Sequence, residues 1–336
     1  MNQAINSANL TRHISYVPSF GLKNSHAQTI LSSMGPRKGL VKRQFSKYQE
    51  STQLITLDGG NGVRLQGYLN QAGEQASERL VILLHGWEGS HESVYIRSLA
   101  FHCLEQGIDT FRLNLRDHGD SHHLNEEIFN STFIDEVVSG VKDFQDRYPY
   151  KKRYMVGFSL GGNFSCRVAA FGNSKGVELD KVIAFCPVIN PVESNAAIIK
   201  GPWIYEKYFA RKWKRSLRKK HQHWPGLGLG GYLNQVNSLR SMNEILVPKF
   251  TGFDVVDDYF AAYAISGDVM RETVCPCYLH FAADDSIIPI QAVSELASNP
   301  KLDITITDRG GHCGYIDNWK WDCWQDSRTL ELILTD

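Results

Sequence analysis

Short unbroken apolar runs alternate along this chain with longer stretches in which apolar positions return every three or four residues. Residues 79–84 (RLVILL) form a run of the length and composition expected of a strand buried on both faces. Residues 93–106 place Val94, Ile96, Leu99, Ala100 and Leu104 at helical spacing and stop at Gly107. Residues 108–115 read as the next strand, 130–147 as a helix, 153–156 as the end of a strand, and 163–170 as a helix. Strands follow at 181–186, 277–283 and 303–307, and the last helix at 320–334. Ahead of these, residues 52–70 divide into two strands around Asp58-Gly59-Gly60-Asn61-Gly62, a hairpin signal. Alternating strands and helices predict an α/β fold with a mostly parallel central sheet covered by helices on both faces.

The alternation fails in two places. Residues 1–50 are polar and irregular, with a basic stretch at Arg37, Lys38, Lys42 and Arg43, and read as an N-terminal extension packed on the core. About ninety residues separate the strand at 181–186 from that at 277–283, far more than one crossover needs. They carry Trp203, Trp213 and Trp224 in helical-looking sequence, so about 190–265 reads as an inserted helical cap within a domain spanning 51–336. A hydrophobic content of 42% can fill a large core, and a formal net charge of zero gives no global argument for nucleic acid. No apolar run approaches the roughly 18 residues of a membrane span, and the polar start lacks a signal-peptide pattern. Seven scattered cysteines point to a reducing compartment, and the expected location is cytoplasmic. Neither Cys275-Pro276-Cys277 nor Cys313 has zinc-site spacing, and no metal or organic cofactor is expected.

The chemistry concentrates at Gly157-Phe158-Ser159-Leu160-Gly161, a G-x-S-x-G pentapeptide set between a strand and a helix. That context predicts a sharp turn that strains and presents the serine, with glycines where a side chain would collide at the crossing. Downstream, an apolar strand ends in Asp284-Asp285, and another ends in Gly310-Gly311-His312. Serine is a weak nucleophile at neutral pH and needs a base, for which His312 is the candidate. Of the two aspartates, Asp285, followed by Ser-Ile-Ile-Pro, is preferred as the acid that orients the imidazole, and Asp284 reads as a loop cap. Ser, Asp, His is the chain order of the α/β-hydrolases. A developing oxyanion needs preorganised amides, expected from Leu160 and, in the loop His85-Gly86-Trp87-Glu88-Gly89, from Trp87. His85 itself reads as structural.

Three further patterns carry less. Residues 116–123 (RDHGDSHH) hold possible metal ligands but follow a strand and read as an ordered loop beside the serine. His280 with Asp285 fits a short H-x4-D acyltransferase pattern, which a strand would aim unhelpfully. Residues 205–220 form a basic amphipathic stretch, read chiefly as a solvated cap helix and alternatively as a contact for anionic lipid or an anionic substrate.

Over roughly residues 55–335 the sequence resembles the α/β-hydrolase superfamily. More narrowly it looks like the YheT-like hydrolases, the group that includes the mammalian lipid-directed α/β-hydrolase-domain proteins. The narrower resemblance rests on His26-Ala27-Gln28-Thr29-Ile30, on His85-Gly86-Trp87-Glu88-Gly89-Ser90 with Tyr95, on residues 157–163, and on residues 310–315. It implies hydrolysis of acyl esters or lipids, with Ser159, Asp285 and His312 in the triad positions. Two loops depart from the pattern: Arg116-Asp117-His118-Gly119 replaces an Arg-Gly-His-Gly type, and Ser286 stands where proline commonly follows the double aspartate. The expectation is a carboxylesterase on short or medium acyl chains. Thioester hydrolysis or acyl transfer by the same residues, and a non-catalytic binding or membrane-docking role, are the competing readings.

Overall fold

The computed structural model describes residues 9–335. Its strands are β1 (Leu10–Ile14), β2 (Gln53–Asp58), β3 (Arg64–Asn70), β4 (Arg79–Leu84), β5 (Asp109–Asn114), β6 (Lys152–Phe158), β7 (Lys181–Phe185), β8 (Cys277–Ala282) and β9 (Leu302–Thr307). They join in one sheet of order β1-β9-β8-β7-β6-β4-β5-β3-β2. Only β2 and β3 run antiparallel to their neighbours, as the hairpin at 52–70 predicts. The run at 79–84 lies next to the central strand β6, with Ile82 opposite Met155 of β6 on one side and Phe111 of β5 on the other.

Helices α1 (Ser25–Leu31), α2 (Pro36–Phe45) and α3 (Val94–Glu105) precede α4 (Ile134–Arg147) and α5 (Leu160–Phe171). The cap segment supplies α6 (Pro191–Lys200), α7 (Trp203–His223), α8 (Leu229–Leu233), α9 (Leu239–Phe250) and α10 (Val256–Ala261), and the last helix is α11 (Trp324–Leu334). The α2, α3 and α11 helices pack together, as do α4 and α5. The α4 helix buries Val137, Val138, Val141 and Phe144 along one stripe. Phe144 stacks on Phe111 at 3.9 Å between ring centres. Gly67 makes room for that stack: a Cβ there would sit 1.9 Å from the Phe111 ring.

The N-terminal segment differs from its reading as irregular. Residues 10–14 add a parallel strand to the sheet edge beside β9, and α1 and α2 follow. Leu10 and Ile14 are exposed there. With little burial to impose a pattern, nothing in the composition of this strand announces it.

Between β7 and β8, the cap gathers its own apolar cluster around Leu217, Leu229, Leu233 and Met242. The basic stretch divides in the fold. Lys220 is only 1% exposed; it pairs with Asp117 at 2.8 Å and also donates to Asn125 O. Lys212 donates to Glu88 O at 3.0 Å and Lys214 to Val236 O at 2.9 Å, while Arg211, Arg215 and Arg218 stay exposed. Trp224 donates to His122 O, and His122 bonds Ser216, so α7 is bolted to the loop after β5. Burial lowers the Lys220 pKa and raises that of Asp117, and their mutual attraction opposes both shifts. Lys220→Ala leaves a buried carboxylate without its partner and should cost about 3–5 kcal/mol in urea unfolding. Adding Asp117→Asn should recover much of that loss; no recovery would mean the charge pair is not what holds the cap.

Candidate active site

One residue separates β6 from α5. Ser159 sits there at φ 55° and ψ −119°, a left-handed conformation that costs a non-glycine residue about 1–3 kcal/mol. Close approach of the flanking backbone enforces it. A Cβ on Gly157 would lie 2.2 Å from Gly161 O, and one on Gly161 would lie 2.3 Å from Leu84 O. The Ser159 amide donates to Phe185 O at 2.9 Å. Buried Asn163 donates to Val188 O and Tyr263 O, tying α5 to the cap's base.

His312 arrives from the loop after β9. Gly310 and Gly311, at φ 144° and 57°, turn that loop inward. The Ser159 hydroxyl lies 2.8 Å from His312 Nε2, and His312 Nδ1 lies 2.8 Å from Asp285 Oδ2. Asp285 Oδ1 accepts the amides of Ile287 and Ile288, which fixes the carboxylate. Asp284 does something else: its Oδ1 accepts the Gly311 amide at 2.8 Å and shapes the histidine loop. Burial works against a charged His312 ring, but the charge of Asp285, with Cys313 and the Asp285 hydrogen bond, raises its pKa to about 9.

The loop after β4 abuts this group. A Cβ on Gly86 would lie 3.2 Å from Ser159 Cβ, and the Gly86 amide donates to Tyr95 Oη at 3.0 Å. His85 bonds Gly86 O through Nδ1 and accepts the Leu115 amide on Nε2. His118 bonds Arg116 O and accepts the Glu88 amide. Burial lowers the pKa of both rings, that of His118 to about 4. The histidines at 85 and 118 therefore brace loops as neutral rings. His280 stacks on Phe185 at 5.0 Å, with both ring nitrogens buried and unpartnered, and Asp285 faces His312 instead. Among the described residues, Cys186, His312 and Cys313 bring ligand atoms within 4.8 Å of one another. A metal ion there would compete with Ser159 and Asp285 for the imidazole.

Residues 26–30, which in the sequence stand out only for a family resemblance, have a structural task. In the fold they support the histidine. Thr29 Oγ1 accepts the His312 amide at 2.9 Å and donates to Ser25 O. Gln28, fully buried, donates to Leu22 O and Ile316 O and accepts the Ile316 amide at 2.6 Å. His26 bonds Tyr205 of the cap at 2.8 Å. Uncharged Gln28 and Thr29 inside one short helix, beside His26, were the available signal.

Above Ser159 opens a cavity continuous with solvent. Leu160, Ile198, Phe209, Trp213, Leu246 and Phe260 contribute to its apolar wall. Trp87 also lines it and stacks on Phe209 with ring centres 5.5 Å apart, so the loop after β4 also supports the cap.

A family model described as the alpha/beta hydrolase fold matches residues 79–211. The chain is 24% identical over 333 residues to the embryogenesis-associated protein EMB8 of Picea glauca, covering 92% of this chain and 70% of that protein. It is 22% identical over 292 residues to a monoacylglycerol lipase of Saccharomyces cerevisiae, covering 82% of this chain and 60% of the yeast protein. Among solved structures, an esterase of Pyrococcus furiosus matches with a TM-score of 0.57 at 18% identity, over 84% of this chain and 92% of that one. The sheet, its helical layers and the elbow at Ser159 are those of the α/β-hydrolase fold.

Removing the Thr29 hydroxyl leaves the His312 amide without its acceptor, a loss of about 1–1.5 kcal/mol in positioning. Thr29→Val should slow phosphonylation of Ser159 by a fluorophosphonate roughly five- to tenfold and move the pH profile of that rate, and Thr29→Ser should restore both. An unchanged rate and profile would show that the loop is held without this bond.

Proposed function

We propose that this chain, a member of the α/β-hydrolase superfamily, is a serine hydrolase that cleaves carboxylic acyl esters. The observation that carries the reading is the unbroken chain of hydrogen bonds from Ser159 through His312 to Asp285, at the mouth of an apolar cavity. Ser159 Oγ attacks the ester carbonyl while His312 Nε2 takes its proton. Asp285 holds the ring with Nδ1 protonated and stabilises the imidazolium. The amides of Leu160 and Trp87 are the donors for the tetrahedral oxyanion, Leu160 being the first residue of α5, where an amide has no partner within the helix. The leaving alcohol takes the proton from His312, and a water then repeats the sequence on the acyl-enzyme. This chemistry calls for no cofactor. The apolar cavity suits acyl esters and lipids as substrates, and the yeast relative is named for such a substrate. Seven buried, unpaired cysteines favour a reducing compartment such as the cytoplasm, and no described helix is long and apolar enough to cross a membrane.

The outer face of α7 supports peripheral contact with anionic lipid. Trp203, Ile204 and Tyr208 are exposed there beside Lys207, Arg211, Arg215 and Arg218, while Phe209 and Trp213 of the same helix line the cavity. Aromatic and apolar side chains set among cations are the composition that binds a negatively charged headgroup layer.

A fluorophosphonate probe should label Ser159 and leave Ser159→Ala unlabelled. Asp285→Asn should lower kcat by about four orders of magnitude through the wrong tautomer. Because the base acts only when neutral and its pKa is raised to about 9, kcat/KM should climb through neutral pH and level off in the alkaline range. Folded protein that neither reacts with the probe nor turns over nitrophenyl esters would point to a binding role, and faster transfer to an added alcohol than to water would point to an acyltransferase. Vesicles containing phosphatidylglycerol should co-sediment the protein, with reversal of Arg211, Arg215 and Arg218 to Glu abolishing it; equal binding to neutral vesicles would sink the lipid-contact reading.

A further inference from the structure

The cavity above Ser159 has no charged residue in its lining. Two cap helices present regular stripes to it, Pro191, Ser194, Asn195 and Ile198 from α6, and Leu239, Asn243, Leu246 and Val247 from α9. The spacings (one, four, five and eight along α6; one, five, eight and nine along α9) each describe a single helical face. Both stripes are apolar at their ends and polar within, and the polar positions meet: Asn243 Nδ2 donates to Asn195 Oδ1 at 3.1 Å. That one hydrogen bond uses an N–H of Asn243 and a lone pair of Asn195 Oδ1, so the Asn195 NH2 and the Asn243 carbonyl have capacity for a further partner. Ser194 is 5% exposed, and its Oγ is buried with no hydrogen-bond partner. A cavity meant only for hydrocarbon would gain from an apolar side chain at Ser194, since an unpaired buried hydroxyl opposes folding, and it has no use for the asparagine pair beside it.

We propose that Ser194, Asn195 and Asn243 form a subsite for a hydroxyl carried on the chain of the ester that fills this cavity. The inference rests on the ester-hydrolase reading and narrows its substrate class to esters of hydroxylated acyl chains. A hydroxyl both donates and accepts, which matches the remaining hydrogen-bonding capacity of the asparagine pair and the unpartnered Ser194 Oγ; a carboxylate, phosphate or ammonium group would find no counter-charge in the lining.

The test compares nitrophenyl decanoate with nitrophenyl hydroxydecanoates in which the hydroxyl moves one carbon at a time. Wild-type protein should show a maximum of kcat/KM at one position or two adjacent ones, about tenfold above the remaining hydroxylated esters. Ser194→Ala and Asn243→Leu should each flatten that maximum, with unfolding midpoints checking that the variants fold. A series that is flat or changes steadily in the wild type overturns the subsite while leaving ester hydrolysis intact, and it decides the matter whether or not the variants fold. No turnover of any member, together with no fluorophosphonate labelling of Ser159, overturns the ester-hydrolase reading and the subsite with it.

Discussion

Gly161 lies so close to the carbonyl oxygens of Leu84 and His85 that a methyl group has no room between them. That contact lets α5 start directly over the end of β4, and it leaves Ser159 no conformation except the left-handed one at the crossing. Everything else at the site is arranged around a serine whose position is fixed by backbone rather than by its own side chain. The loop after β4 can rest against Ser159 because Gly86 has no Cβ to hold it off. His312 can reach the same point because two glycines in left-handed or extended-positive φ bend its loop inward. Strain stored in one residue is held by dense packing on all sides.

The sheet was legible because its central strands are buried on both faces and its helices on one, and burial writes itself into hydrophobic period. Residues 79–84, 93–106 and 130–147 show this directly. Ser159, Asp285 and His312, which the fold brings into one hydrogen-bonded group, could be picked out as candidates because each is embedded in a short local pattern at the end of a strand. The choice of Asp285 over Asp284 as the partner of His312 was reached from the residues that follow, and in the structure the two carboxylates do take different partners. By contrast, β1 is exposed and polar, and what makes it a strand is β9, almost three hundred residues further along. The fate of each lysine in α7 was equally hidden, since whether a cation is solvated or buried against Asp117 depends on a distant loop and not on its neighbours in sequence.

The cap is joined to the body by unlike means at its different contacts. Lys220 holds it by a buried ion pair, Trp87 by ring stacking, and Asn163 by hydrogen bonds to main-chain carbonyls. Two of these three holdfasts sit on segments that also carry the site: Trp87 on the loop beside Ser159, and Asn163 on the helix that Ser159 begins. Cap position and site geometry are therefore mechanically linked, and a molecule that pushes on Phe209 or Trp213 pushes on the loop beside Ser159 as well.

The support of His312 by Thr29 and Gln28 has a consequence for how the molecule is made. Residues 10–31 leave the ribosome ahead of residues 302–316, yet among the described strands β1 pairs only with β9, and the histidine loop, besides its bond to Asp284, closes on α1. The early segment must wait, unpaired, through the synthesis of nearly the whole sheet. Contacts of such long sequence separation are slow to form. The ordered histidine loop should consequently be among the last features of the described fold to form, appearing only when residues 10–31 and 302–316 have met.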